Sequence, residues 1–217
     1  MQTPDAGFDR LASFYDLLAG LVFGHTLRRA QEAALAGLPA GALRLLIIGG
    51  GTGWILGEVL LRCPAAQILY VEASAGMLRQ SRATLRRMAA AHESQVEFRL
   101  GTEAALKSSE TFDVIITFFF LDLFEITRFE AVLRQLNATR RPGGRWLLAD
   151  FCKPKVWWQR ALLALMYQFF RVTTGINARQ LPAIHAGLAK LGLHPQQQQW
   201  FYAGMIEATV FEEQPAL

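Results

Sequence analysis

Cysteine is scarce: Cys63 and Cys152 stand far apart and at no metal-ligand spacing, so neither a disulfide framework nor a zinc site is expected. Both are read as reduced packing residues. Charge is sparse too, at 18% of residues against about 25% in an average soluble domain, while 52% are apolar. Even so, no uninterrupted apolar run approaches the roughly 18 residues that would signal a membrane-crossing helix. The N-terminus carries Asp5, Asp9 and Arg10 where a signal peptide would place a basic patch and an apolar block, so a cytoplasmic protein is expected. The 22 basic residues are scattered, and the densest cluster, "LRQSRATLRRM" at 78–88, has the helical spacing of a solvated face. Nothing shows the aromatic interleaving of an RNA-binding sheet, which argues against a nucleic-acid partner. A length of 217 residues suits one domain.

What is present alternates. The runs "LRLLII" (43–48), "QILYVE" (67–72), "QVEFRL" (95–100), "FDVIITFFF" (112–120) and "RWLLADF" (145–151) read as strands. Between them, 52–63, 74–92 and 129–140 carry helical periodicity, with Ser74 as a helix cap and "RPGG" as a turn. Strands apolar on both faces and joined through helices imply a parallel sheet covered on both sides. The tail departs from this series: 180–193 reads as a helix, and two strands within 197–213 meet at Gly204 as a hairpin. The expected architecture is therefore α/β, a Rossmann-like, mostly parallel sheet with helices on both faces and an antiparallel C-terminal hairpin.

The stretch "LLIIGGGTGWIL" (45–56) sets four glycines within five positions between a strand and a helix. Such a junction offers bare backbone amides and a helix's positive end at the carboxyl edge of the sheet, which is a ligand site. Gly49, Gly51 and Gly53 give G-x-G-x-G, whereas the dinucleotide fingerprint needs a glycine where Trp54 stands. No lysine follows at P-loop spacing, so an ATP-binding P-loop is excluded. Glu72 ends the second strand, nineteen residues past Gly53, where a carboxylate can accept both hydroxyls of a ribose. A nucleoside ligand follows.

With these residues in view, the chain resembles the class I S-adenosylmethionine-dependent methyltransferases. The resemblance runs over about residues 8–151 and more loosely to the end: "LLIIGGGTGWIL" resembles their first motif, "YVEASAGML" the acidic-strand motif, "FDVIITFFFLDLF" the fourth-strand segment and "RRPGGRWLLADF" a late "LRPGG" motif. "FDRLASFYDLLAGLVFG" further resembles the N-terminal segment of the ubiquinone/menaquinone C-methyltransferase subgroup. The resemblance implies a seven-stranded sheet and S-adenosylmethionine as cofactor. It places Gly49, Gly51 and Gly53 against the methionine moiety, Glu72 on the ribose, Met77 on the adenine and Tyr15 over the pocket, with Ala73 and Phe118 completing the set. Two positions depart from the pattern: Ile48 stands where many relatives carry an acid, and "GTEA" (101–104) replaces "G-D-A", so Thr102 or Glu103 must serve the adenine.

Methyl transfer from a sulfonium is an in-line displacement, needing alignment, exclusion of water, and a base only if the acceptor must lose a proton. The "[DN]-P-P-[YF]" signature of amine methylation is replaced here by "TFFF", which argues against nucleobase or glutamine acceptors. Residues 153–178 are expected to form a helical substrate cover and 1–40 an N-terminal helical cover within a single domain, 1–217. Phe119, Trp157, Trp158, Met166, Tyr167 and Phe170 are the substrate candidates. For a base, the options are Asp122, Asp150, His25, Tyr15 and Tyr167, with no one of them singled out. The expected acceptor is small and lipophilic: a quinone precursor, a phenolic or polyketide-like compound, or a lipid. Two alternatives stand beside it, a phospholipid headgroup N-methyltransferase at a membrane surface and a catalytically silent nucleoside-binding scaffold. No metal is expected, and peripheral contact with the inner membrane and a homodimer remain open as further associations.

Overall fold

The computed structural model of the protein describes residues 22–174 and 180–214. Tyr15 and residues 1–21 of the expected N-terminal cover lie outside them. Seven strands form one sheet in the order β3-β2-β1-β4-β5-β7-β6. They are β1 (Arg44–Ile48), β2 (Gln67–Glu72), β3 (Val96–Leu100), β4 (Phe112–Phe118), β5 (Arg140–Phe151), β6 (Leu193–Phe201) and β7 (Ile206–Glu213). The first five run parallel, and β7 is antiparallel to both β5 and β6. The expected α/β sheet with a C-terminal hairpin is the one observed, and the strand order reverses at β1, where β2 goes to one side and β4 to the other. Open α/β sheets bind ligands at such a reversal.

The helices are α1 (Thr26–Leu35), α2 (Trp54–Arg62), α3 (Ala75–Ala89), α4 (Ile126–Ala138), α5 (Trp157–Thr174) and α6 (Ile184–Ala189). Alternate strand residues feed two cores. Leu45, Ile47, Tyr70, Val114, Ile116 and Ala149 face one together with α1 and α2. Leu46, Ile48, Val71, Ile115, Trp146 and Leu148 face the other with α4 and α6. This double burial is why the strands lack polar alternation. The arginines of α3 point outward as a solvated face, and Arg82 lies 4.7 Å from the Phe98 ring centroid. Cys63 is buried and Cys152 half-buried, and both are free thiols. Among the described residues no helix is long and apolar enough to cross a membrane.

Two expected boundaries shift. The helix expected over 180–193 is reduced to α6, because Pro182 disfavours helical backbone before it and α6 starts only at Ile184. "RPGG" does not end a helix with a free turn; it lies inside β5, where Gly143 takes φ +72° and the β4–β5 register shifts between Phe112 and Val114.

Two helices approach each other closely at Gly53, which precedes α2 at φ +84°. A Cβ there would stand 2.6 Å from Ser81 Cβ and 2.7 Å from its Cα, so the α2–α3 contact requires a bare backbone. Gly53→Ala combines left-handed strain with a clash against main chain. It should lower unfolding free energy by more than about 1 kcal/mol in urea titrations, whereas an unchanged midpoint would contradict the packing role.

Candidate functional site

The glycine turn is held by its neighbour strand. Gly49 N–H donates to Val71 C=O at 2.9 Å, continuing the β1–β2 pairing, and Gly51 N–H donates to Glu72 Oε2 at 3.0 Å. Glu72 Oε1 accepts from Ser74 N–H at 2.9 Å, so one carboxylate joins the glycine turn to the start of α3. Ser74 Oγ in turn accepts from Met77 N–H at 3.1 Å, confirming the cap that the sequence suggests. Glu72 is 6% exposed, and burial pushes its carboxyl above the usual glutamate range, opposed by the amides of Ser74, Gly51 and Ala73.

The four glycines serve different ends. A Cβ on Gly49 would meet Phe120 at 2.4 Å, one on Gly50 would meet the Tyr70 ring at 2.4 Å, and Gly53 is filled by Ser81. Among the described residues, no atom lies within 4 Å of where a Cβ on Gly51, at φ +62°, would stand. The open face of the turn is therefore at Gly51, beside Glu72. Each Glu72 oxygen has spent one acceptor position on a backbone amide and keeps another, so the carboxylate can still receive a diol. These residues fit a nucleoside carrying an amino-acid tail.

Tyr70 was missed in the sequence. Its hydroxyl donates to Gly51 C=O at 2.9 Å from a fully buried ring, fixing the turn from below. The available signal was its position two residues before Glu72, on the same side of β2. Thr102 is exposed, and its Oγ1 accepts from Ala104 N–H at 3.3 Å, leaving it at the surface near the end of β3. Glu103 is instead turned inward at 1% exposure and paired with Arg128, from the first turn of α4. The loop that carries both is clamped by Arg99, whose guanidinium meets Glu110 in two bonds of 2.7 and 2.8 Å and holds that carboxyl down at about 2.

At the end of β4 the three phenylalanines part. Phe118 is buried at 8% exposure, Phe119 adopts φ +51° and packs on Phe151 at 5.4 Å, and Phe120 stacks edge-on against Phe124 at 5.0 Å. A bulky residue in left-handed backbone is strained and persists only where its surroundings enforce it. Asp150 supplies part of that enforcement: its Oδ2 accepts from Leu121 N–H at 3.1 Å and its Oδ1 from Phe151 N–H at 2.8 Å.

Asp150 and Asp122 form a buried carboxyl pair, 0% and 5% exposed, in which each acid bears on the other's ionisation. Burial raises both, and the Asp122 charge raises Asp150 further. The two expected bases are thus brought together, away from solvent. His25 is exposed at the start of α1.

The aromatic helix α5 divides its expected substrate residues. Met166 and Tyr167 pack against the core, and Trp158 meets Tyr202 edge-on at 6.0 Å. Trp157 is 79% exposed and faces outward. The side chain of Phe170 lies outside the described residues. Tyr167 Oη is buried without a hydrogen-bond partner, and burial together with the Asp122 and Asp150 charges pushes its phenol above its ordinary value. Among the described residues no cluster of His, Cys, Asp and Glu is arranged to hold a metal ion.

Because the carboxyl pair keeps its proton to about 6 at Asp122, against roughly 3.9 for an unfolded aspartate, the native state binds more protons between those values. The stability tied to the pair is present below that window and is lost as pH rises through it. Urea titrations from pH 4 to 7 should show wild type losing more stability than Asp122→Asn over this range, and identical losses would contradict the raised Asp122 pKa.

Residues 46–146 match the family described as "Methyltransferase domain". The ubiquinone/menaquinone biosynthesis C-methyltransferase UbiE of Cereibacter sphaeroides (strain ATCC 17029 / ATH 2.4.9) is 32% identical over 146 residues, which take in 66% of this chain and 57% of that relative. The chain thus spans 57% of the relative's own length. Among solved structures, the mitomycin 7-O-methyltransferase MmcR superposes with a TM-score of 0.70 at 19% identity, covering 95% of this chain and 60% of the other. The 1,6-didemethyltoxoflavin-N1-methyltransferase of Burkholderia thailandensis superposes at 0.66 with 15% identity, covering 98% and 91% respectively. At such identities the solved structures speak for the fold alone. The family match and the sequence relatives, taken with the glycine turn and its acidic strand end, show that the chain belongs to the class I S-adenosylmethionine-dependent methyltransferases.

Proposed function

We propose that the protein binds S-adenosylmethionine at the Gly51–Glu72 corner and transfers its methyl group to a small lipophilic acceptor. The observation that carries this reading is the bare, unobstructed face of Gly51 next to a buried carboxylate at the strand-order reversal. The cofactor supplies a methyl group on a cationic sulfonium, open to in-line displacement. The protein's part is to hold and to align. Glu72 receives the ribose hydroxyls, Gly51 presents main chain to the amino-acid tail, and Met77 with Thr102 borders the adenine. Phe119, Phe151 and Met166 offer an apolar wall on the acceptor side, which excludes water from the transfer.

Apolar walls and the absence of an amine-methylation motif favour a quinone precursor or a phenol-like compound over a polar amine. The relative named for ubiquinone and menaquinone biosynthesis supports the same class. Incubation with methyl-labelled cofactor and a lipid extract should place label in an organic-soluble aromatic product. Label in phospholipid headgroups, or no transfer, would refute the acceptor class.

Glu72→Ala should weaken binding of S-adenosylhomocysteine by about 1.5–3 kcal/mol in titration calorimetry, the range of charge-assisted hydrogen bonds. An unchanged affinity would refute the ribose role. The carboxylate must be ionised to receive two hydroxyls, and burial has raised its pKa. Wild-type affinity should therefore fall as the solution is acidified toward that pKa, while Glu72→Gln should bind weakly with little dependence on pH.

A further inference from the structure

Between Asp150 and Glu207 the chain contains no acidic residue, while six basic residues fall in the same span. Two of the six, Lys153 and Arg160, face a cleft of about 430 Å³ between α5, the segment after β5 and the segment before α6. Among the described residues neither has an acidic partner. The rest of the cleft is mostly apolar, with Ile126, Leu163 and Leu181 on its sides, the Tyr167 ring among its lining and Gln180 as a further polar side chain. Its volume lies within the roughly 300–1,000 Å³ of small-molecule sites.

We infer that this cleft binds a small apolar molecule bearing one acidic group, a carboxylate or phenolate. Lys153 and Arg160 stand exposed at the rim of the apolar hollow, where they can meet an anion in charge-assisted hydrogen bonds, and a hydrocarbon body gains by leaving water against Leu163 and Leu181. The orientation follows from the charges on either side. The Asp122–Asp150 pair, which acts electrostatically on the Tyr167 hydroxyl, repels an anion from the Tyr167 side. The acidic group therefore sits with Lys153 and Arg160, and the apolar body lies along Tyr167. Lys190, just past the end of α6, is held 3.0 Å from Glu130 and does not compete for the ligand.

This inference goes beyond the proposed cofactor site and does not require it. The ligand is either the acceptor of the methyl transfer or an independent effector with the same chemistry, and one set of titrations separates them. The full chain is titrated calorimetrically with 2-naphthoate and with its neutral analogue 2-naphthamide, with and without saturating S-adenosylhomocysteine. Naphthoate should bind, naphthamide should bind at least about ten-fold more weakly, and Lys153→Ala/Arg160→Ala should abolish that preference, while Lys190→Ala should not. A shift of naphthoate affinity on adding S-adenosylhomocysteine marks the acceptor, and an unshifted affinity marks the effector. Direct binding of S-adenosylhomocysteine in the same series reports separately on the cofactor site. Equal affinities for the two naphthalenes, or a preference that survives the double substitution, would overturn the inference. So would failure to bind naphthoate combined with Lys153- and Arg160-dependent sedimentation on phosphatidylglycerol vesicles, since the cations would then serve a lipid surface.

Discussion

The contact on which the site depends is the Glu72 carboxylate accepting amides from both Gly51 and Ser74. It ties the turn after β1 to the start of α3 across the end of β2. Neither backbone segment would hold its shape alone: Gly51 takes a left-handed φ, and among residues 49–53 Thr52 alone carries a side chain. A buried carboxylate is expensive unless its lone pairs are used. Here the Gly51 and Ser74 amides each use one, which offsets part of the cost of burying Glu72.

A second constraint operates at the end of β4. The sheet must release the chain abruptly so that Phe118 and Phe119 pack on one core and Phe120 on the other, and the left-handed backbone at Phe119 makes that possible. Asp150 steadies the release by accepting the Leu121 amide. The raised pKa values of Asp150 and Asp122 lower the cost of burying two acids together, because a proton kept by the pair leaves one charge fewer to accommodate. In this arrangement the aspartates shape the chain's exit from β4. Methyl transfer from a sulfonium makes few demands on acid–base chemistry, so a site built chiefly from shape is adequate to it.

Much of this was legible in the sequence because the signals were local. Strands apolar on both faces dictate a covered parallel sheet, and glycines followed by a strand-end acid dictate a nucleoside corner. The hairpin was readable from the two strand-like runs on either side of Gly204. What escaped depended on contacts between distant segments. Tyr70 bears on Gly51 only because β2 pairs with β1 in one register, with Ile48 opposite Val71. Glu103 looks like a loop acid until Arg128, on the far side of β4, draws it inward. Asp122 and Asp150 read as two independent bases, although the fold brings them into one buried pair. The shortened α6 reflects Pro182 overriding an otherwise helical pattern.

The two halves of the site are unequal in character. The Gly51–Glu72 corner is polar, rigid and made of main chain, as suits a ligand of fixed structure. Beyond Phe119 the surroundings are apolar side chains of α5 and the sheet, whose shape is set by packing. The most direct measurement is a crystal structure with S-adenosylhomocysteine bound. Both ribose hydroxyls should lie within hydrogen-bond distance of Glu72, with the amino-acid tail over Gly51. Ligand bound elsewhere, with Glu72 still bonded only to the Gly51 and Ser74 amides, would contradict this placement.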